Sequence, residues 1–316
     1  MVTSSDPTAK RALYDERSAY LTGLLAVVLW STSSTAFKLG LADLGPLPLV
    51  TLASILSTLI LALLWALQRQ RSARPGEHPG VEDPRAARRS LLREALLLGA
   101  INPLCYYPLL LAGYERLPAQ IAQPLNYTWA IALALLAVPL LRQKLRGRTL
   151  AGIALSYGSA VGLLLGAAAS PLGRPDTLGV LYILLSTGLW ALYWILGQRA
   201  RSEPLALLAS SFAVGALALA VTLTVVGTWP VLSLGNLAAA AWIGAFEMGL
   251  TFVLWQRALA RTASVGRVSQ LIFLAPFLSL LPIALILGEP LQASSLLGLC
   301  GIVAGLLLTG RPRTPT

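Results

Sequence analysis

The sequence predicts an all-α integral membrane protein, with ten transmembrane helices arranged as two inverted repeats of five. Three observations predict it. Of 316 residues, 56% are apolar and 12% charged, whereas roughly a quarter of a soluble domain is charged. The charge-free stretches are long enough to cross a bilayer, which takes about 20 helical residues. The 24 basic residues also gather on one side of those stretches, as in membrane chains whose cytoplasmic loops hold Lys and Arg.

Charge-free runs cover residues 18–37, 44–68, 95–114, 117–141, 149–173, 177–198, 204–246, 268–288 and 290–310. The run 204–246 is 43 residues long and contains Gly227, Pro230, Gly235 and Asn236. It therefore divides into two helices, the second continuing through Glu247 to the neighbourhood of Ala260. Ten spans put both termini on one side, and with that side called cytoplasmic only Lys38, Arg116 and Arg174 fall at outer ends. The expected organisation is a cytoplasmic tail 1–17, a first five-helix repeat 18–173, a second 174–310 and a cytoplasmic tail 311–316. Inside the first repeat, 69–93 reads as a solvated cytoplasmic loop rich in Arg, Pro and Gly, and it holds the lone histidine, His78. The first apolar run is full length for a span, so it is expected to stay as an anchor and not be cleaved as a signal.

Internal similarity supports two halves. Leu29-Trp30 matches Leu189-Trp190 at an offset of 160, while Ala112 with Ala258 and Gly152 with Gly298 match at 146. The arginine-rich insertion in 69–93 accounts for the difference. Five spans per half is an odd number, so the second copy must insert upside down, an arrangement that puts a solute site near the midplane.

Polar side chains inside the spans are the candidate site. Gln123, Asn126 and Tyr127 follow i, i+3 and i+4 in the fourth span, and Asn102 and Tyr106 share a face of the third with Tyr107 beside them. Unpaired amides in hydrocarbon are costly, so these groups face either a polar cavity or each other. Trp30, Ser34 and Lys38 lie along one face of the first span at i, i+4 and i+8. Lys38 either pairs with a substrate carboxylate, pairs with Asp43 or reaches the headgroups. Trp190, Tyr193 and Trp194 form a mid-span aromatic face that could stack on an aromatic substrate or pack in the core. Glu247 is the carboxylate nearest the middle of any span, a counter-charge for an ammonium or a proton carrier if it is not structural. Ser269 and Gln270 of the ninth span are further candidates for the path, and Glu289 reads as a helix-end residue. Cys105 and Cys300 sit in apolar runs and read as buried small hydrophobes. No metal site, cofactor or catalytic constellation is expected, because the spans contain no histidine and one central carboxylate. The dispersed basic residues form no nucleic-acid face.

The chain resembles the drug/metabolite transporter superfamily with its EamA-type fold. The resemblance rests on Leu29-Trp30-Ser31 and Phe37-Lys38-Leu39-Gly40 in the first span, and on Leu274-Ala275-Pro276 with Leu287-Gly288-Glu289-Pro290-Leu291 around the ninth. Asn126-Tyr127-Thr128-Trp129 is similar to a motif of the YddG-type aromatic amino acid exporters, with Ala130 where those proteins carry proline. The resemblance implies ten helices in a five-plus-five inverted repeat within a bacterial-type inner membrane. It also implies export of aromatic and other neutral amino acids by alternating access, with cationic or amphipathic drugs as the rival substrates. Expected partners are small-molecule substrates and the lipid bilayer. The sequence is silent on oligomeric state, a monomer being consistent with it.

Overall fold

A computed structural model describes residues 15–72, 84–141, 147–170, 173–227 and 229–309. His78 and both terminal tails lie outside the described residues, apart from the last three residues of the N-terminal one. No strand occurs among the described residues. Among the described residues, nine helical segments are long and apolar enough to cross a membrane: α1 Glu16–Asp43, α2 Pro46–Gln70, α3 Pro84–Arg116, α4 Ala119–Leu140, α5 Gly147–Ala168, α6 Thr177–Gly197, α7 Pro204–Val226, α8 Leu234–Ala260 and α9 Arg267–Ile286. The tenth, α10 Ala293–Leu308, is shorter but apolar. It still reaches about 24 Å at 1.5 Å per residue.

The long run 204–246 divides where its breakers lie. Gly227 ends α7 in the left-handed conformation at φ +71°, which glycine adopts without a Cβ penalty. Ser233 and Asn236 then start α8 with a reciprocal capping box, in which Asn236 N–H donates to Ser233 Oγ at 3.2 Å and Ser233 N–H to Asn236 Oδ1 at 2.9 Å. The segment 69–93 departs from the expected loop. Helix continues to Ser72 and resumes at Pro84, because Pro84 suits a first helical turn and the Ala, Arg and Leu that follow are strong helix formers. The cysteines are corrected too, since Cys105 and Cys300 are free and exposed on helix flanks.

The bundle turns leucine and valine outward, with Leu165, Leu217, Val225, Leu285 and Leu297 among the exposed apolar residues, as a lipid environment requires. Inside, small residues allow close approach. Helix α5 lies along α10, α2 along α7, α3 against α6 and α7, α8 against α1 and α2, α4 against α6, and α9 against α1. In the α5–α10 seam a Cβ on Gly305 would stand 2.5 Å from the Gly152 carbonyl, and one on Gly298 would stand 2.7 Å from Leu163 Cβ. Ser156 Oγ also donates to the Ile302 carbonyl at 3.0 Å.

Candidate functional site

A cavity of about 350 Å³ lies at mid-bundle, lined from α1, α3, α4, α6, α8 and α9 together with the residues at their ends. Five of these six helices are interrupted at its depth. In α1, Thr32 separates two helical stretches. Ser31 Oγ donates to the Val28 carbonyl and Thr32 Oγ1 to that of Leu29, each at 2.7 Å, the back-bonding by which Ser and Thr bend helices. In α3, Pro103 disfavours helical backbone at the preceding residue, and Asn102 adopts φ −139°, ψ 114° within the π-turn Ala100–Cys105. Helix α4 breaks after Asn126, α8 contains the π-turn Ile243–Glu247, and α9 tightens to a 3-10 turn over Gln270–Leu274. Such interruptions often mark functional hinges. Helices α2, α5, α7 and α10 contribute no lining residue among the described residues.

Nine candidate residues meet in this cavity: Trp30, Tyr106, Gln123, Asn126, Tyr127, Trp190, Trp194, Glu247 and Ser269. Glu247 is held from α1 and α3. Ser33 Oγ donates to its Oε2 at 2.5 Å, Tyr107 O–H to its Oε1 at 3.2 Å, and the Trp30 indole N–H to its backbone carbonyl at 3.4 Å. Tyr107 is itself buried behind the wall. Trp190 stacks on Tyr106 and Tyr193 at centroid distances of 4.7 and 5.5 Å, and meets Phe252 and Trp194 more steeply at 5.9 and 6.0 Å. Tyr114 O–H donates to Gln123 Oε1. Asn126 Oδ1 and Trp194 Nε1 are buried without a hydrogen-bond partner, although both residues line the cavity.

Ser34, Lys38, Asn102 and Gln270, like Tyr107 and Tyr193, are placed elsewhere. Ser34 is buried with its hydroxyl unpaired, and Ser33 lines the cavity in its stead, because the break at Thr32 shifts the helical phase. Lys38 is turned away from the cavity. Its Nζ donates to the Tyr114 and Leu117 carbonyls at 3.0 and 3.2 Å, a cation satisfying the end of α3 where the helix dipole favours it. Asn102 is buried in the π-turn beside Tyr193, with neither amide atom in hydrogen-bonding geometry. Gln270 is exposed while Ser269 and Ile272 face the cavity, since the 3-10 turn changes the phase of α9. Tyr193 faces a second chamber of about 540 Å³, which shares Trp194, Gln198, Phe252 and Leu259 with the first. That chamber reaches Gln68, Glu203 and Arg257, toward the end where most basic residues gather. Sequence reasoning missed Phe252, Trp255 and Leu259, although i, i+3 and i+7 spacing after Glu247 was a readable face. It also missed Ser33 and Phe37, whereas Trp129 closes the stretch 123–129 that the sequence marks as a cavity wall.

Polar contacts join the start of α4 to the link between α9 and α10. Glu289 lies beyond α9 and accepts the Ala119 and Gln120 N–H groups at 2.8 and 3.1 Å, capping α4. Gln120 donates to the Pro290 carbonyl at 3.0 Å and accepts from Gln292 N–H and Ser295 O–H at 3.1 and 3.0 Å. Replacing Glu289 with alanine leaves two helix-end donors unpaired and is expected to cost about 1–2 kcal/mol of stability. Thermal unfolding in detergent checks this, with Glu289→Gln expected to lose less.

No group of three or more potential metal ligands occurs among the described residues. The profile of the EamA-like transporter family matches residues 17–165 and again 177–311. The chain belongs to the EamA-like transporter family. This EamA-like protein is thereby a multi-pass membrane protein of a small-molecule transporter family. It is 38% identical over 188 residues to an uncharacterized protein of Pseudomonas aeruginosa, PA1977. The match spans 58% of this chain and 62% of that protein's length. A solved crystal structure is similar with a TM-score of 0.62 at 20% identity, covering 92% of this chain and 96% of that one, a likeness that speaks to the fold alone.

Proposed function

We propose that this EamA-like protein exports small aromatic solutes carrying an amino group, aromatic amino acids among them, by alternating access around the mid-bundle cavity. The single observation that carries the reading is the convergence of Trp30, Tyr106, Trp190, Phe252 and Trp255 with Glu247 on one cavity. Aromatic faces supply area and orientation for a substrate ring, and the carboxylate supplies a counter-charge for an amine. The rocking elements are two oppositely inserted halves, α1–α5 and α6–α10. Three features support that arrangement. The family profile matches once in each half. Advancing each helix by five turns the pairs α3–α6, α3–α7 and α4–α6 into α8–α1, α8–α2 and α9–α1, all of which are in contact. The pairs α2–α7 and α5–α10 map onto themselves.

The third feature is the shared position of the interruptions. The third helix of each half carries a π-turn, Ala100–Cys105 and Ile243–Glu247, and the fourth of each is broken at cavity depth. In this reading the conformation is closed at the Glu289 end and open through the second chamber toward the cytoplasmic, arginine-rich side. Solute counterflow in proteoliposomes tests the proposal. Saturable exchange of phenylalanine and tryptophan, and little of aspartate or arginine, is expected. Absence of saturable exchange of any aromatic solute overturns it.

A further inference from the structure

The ionisable groups around the central cavity are unequal in sign. Glu247 lines it, and no Lys, Arg or His does so among the described residues. Lys38, the basic residue nearest in sequence to the α1 lining, is engaged by the Tyr114 and Leu117 carbonyls. The carboxylate stands among aromatic rings. Trp30 meets Phe252 edge-on and Trp255 at a tilt, both at 5.6 Å, and Trp190 meets Phe252 at 5.9 Å. A carboxylate that shares one cavity with tryptophan and phenylalanine rings attracts an organic ammonium twice over, by charge and by the ring quadrupoles.

A substrate carboxylate finds much less. Gln123 Oε1 already accepts from Tyr114, so that residue retains its amide N–H groups, Trp194 Nε1 is one unpaired neutral donor, and the unpaired atom of Asn126 is an acceptor, Oδ1. None of the three is a cation, and all act in a cavity that already holds a carboxylate. The Asn126 acceptor suits an N–H donor instead.

We infer that the site reads the ammonium and the ring of its solute and not a carboxylate, so that aryl-alkyl amines are its preferred substrate class. This rests on the carrier reading above and narrows it. Recognition then follows a simple order. The amine binds best, the zwitterionic amino acid with the same ring is weaker because its carboxylate loses water without gaining a cation, and the corresponding carboxylic acid is weakest.

Three ligands sharing one indole ring separate these cases: tryptamine, tryptophan and indole-3-propionate, each titrated against the purified full chain and as a competitor of counterflow. Tryptamine is expected to bind at least tenfold more tightly than tryptophan, with indole-3-propionate weaker than both. Glu247→Gln, checked for monodispersity, is expected to remove most of the tryptamine advantage while changing tryptophan binding less. Trp255→Ala is expected to weaken tryptamine without altering the rank of the acid. Tryptophan binding as well as or better than tryptamine in the unaltered chain overturns the inference and leaves the carrier reading standing. Failure of all three to bind overturns the carrier reading itself.

Discussion

Replacing Trp190 with alanine is expected to raise the apparent transport constant for aromatic solutes at least tenfold while leaving the protein inserted and folded. Trp190 stacks on Tyr106 and Tyr193 and meets Trp194 and Phe252, so it sets the positions of rings on α3, α6 and α8. Each such pair is worth about 0.5–1.5 kcal/mol beyond buried area. Loss of two stacked neighbours and of the surface offered to a substrate ring therefore exceeds the roughly 1.4 kcal/mol that makes a factor of ten. Trp190→Phe keeps a smaller face and should fall between. Initial-rate counterflow at graded substrate concentrations makes the comparison. Unchanged kinetics in Trp190→Ala would remove this residue from the site.

The second large effect lies in the scaffold. Gly305→Leu is expected to unfold the protein or lower its stability by about 3 kcal/mol or more, the upper range for overpacking. A Cβ there meets the Gly152 carbonyl at 2.5 Å and the Ser156 N at 2.9 Å, both main-chain atoms of α5 that cannot turn aside as a flexible side chain would. Gly158 is the matched control, because nothing stands within 4 Å of a Cβ at that position on the same helix α5. Gly158→Leu should therefore express and melt like the parent protein. Fluorescence-detected size-exclusion after stepwise heating reads both variants. Equal melting of the two would mean that the α5–α10 seam is looser than described.

The spans were legible because they depend on one-dimensional properties. Charge-free length and the side on which arginines fall survive any detail of packing, so a wrong division of the 204–246 run would have scrambled the basic residues. The candidate site was legible only in part, and the reason is local. Face assignment by i, i+3 and i+4 assumes a continuous helix, and the cavity-lining helices are mostly not continuous. Ser34 lost its expected place to Ser33 through a break at Thr32, and Gln270 lost its place through the 3-10 turn that begins with it. Asn102 was drawn into the π-turn by the proline after it. Trp190 and Glu247 line the cavity, Glu247 from a π-turn and not from a regular face. Lys38 illustrates a different blindness. Carbonyls at the end of α3 are partners that a sequence never displays, and they hold its ammonium away from the cavity.

The central claim is that solute enters the cavity between Trp30, Trp190 and Glu247. It is tested most directly by substrate protection of a cysteine placed on the cavity wall. Ser269 lines the cavity, whereas Arg201 sits in the exposed turn before α7. In a chain with Cys105 and Cys300 replaced by alanine, the account predicts that saturating tryptophan or tryptamine slows thiol labelling of Ser269→Cys several-fold and leaves Arg201→Cys unaffected. Labelling of Ser269→Cys at the same rate with and without either ligand would contradict it.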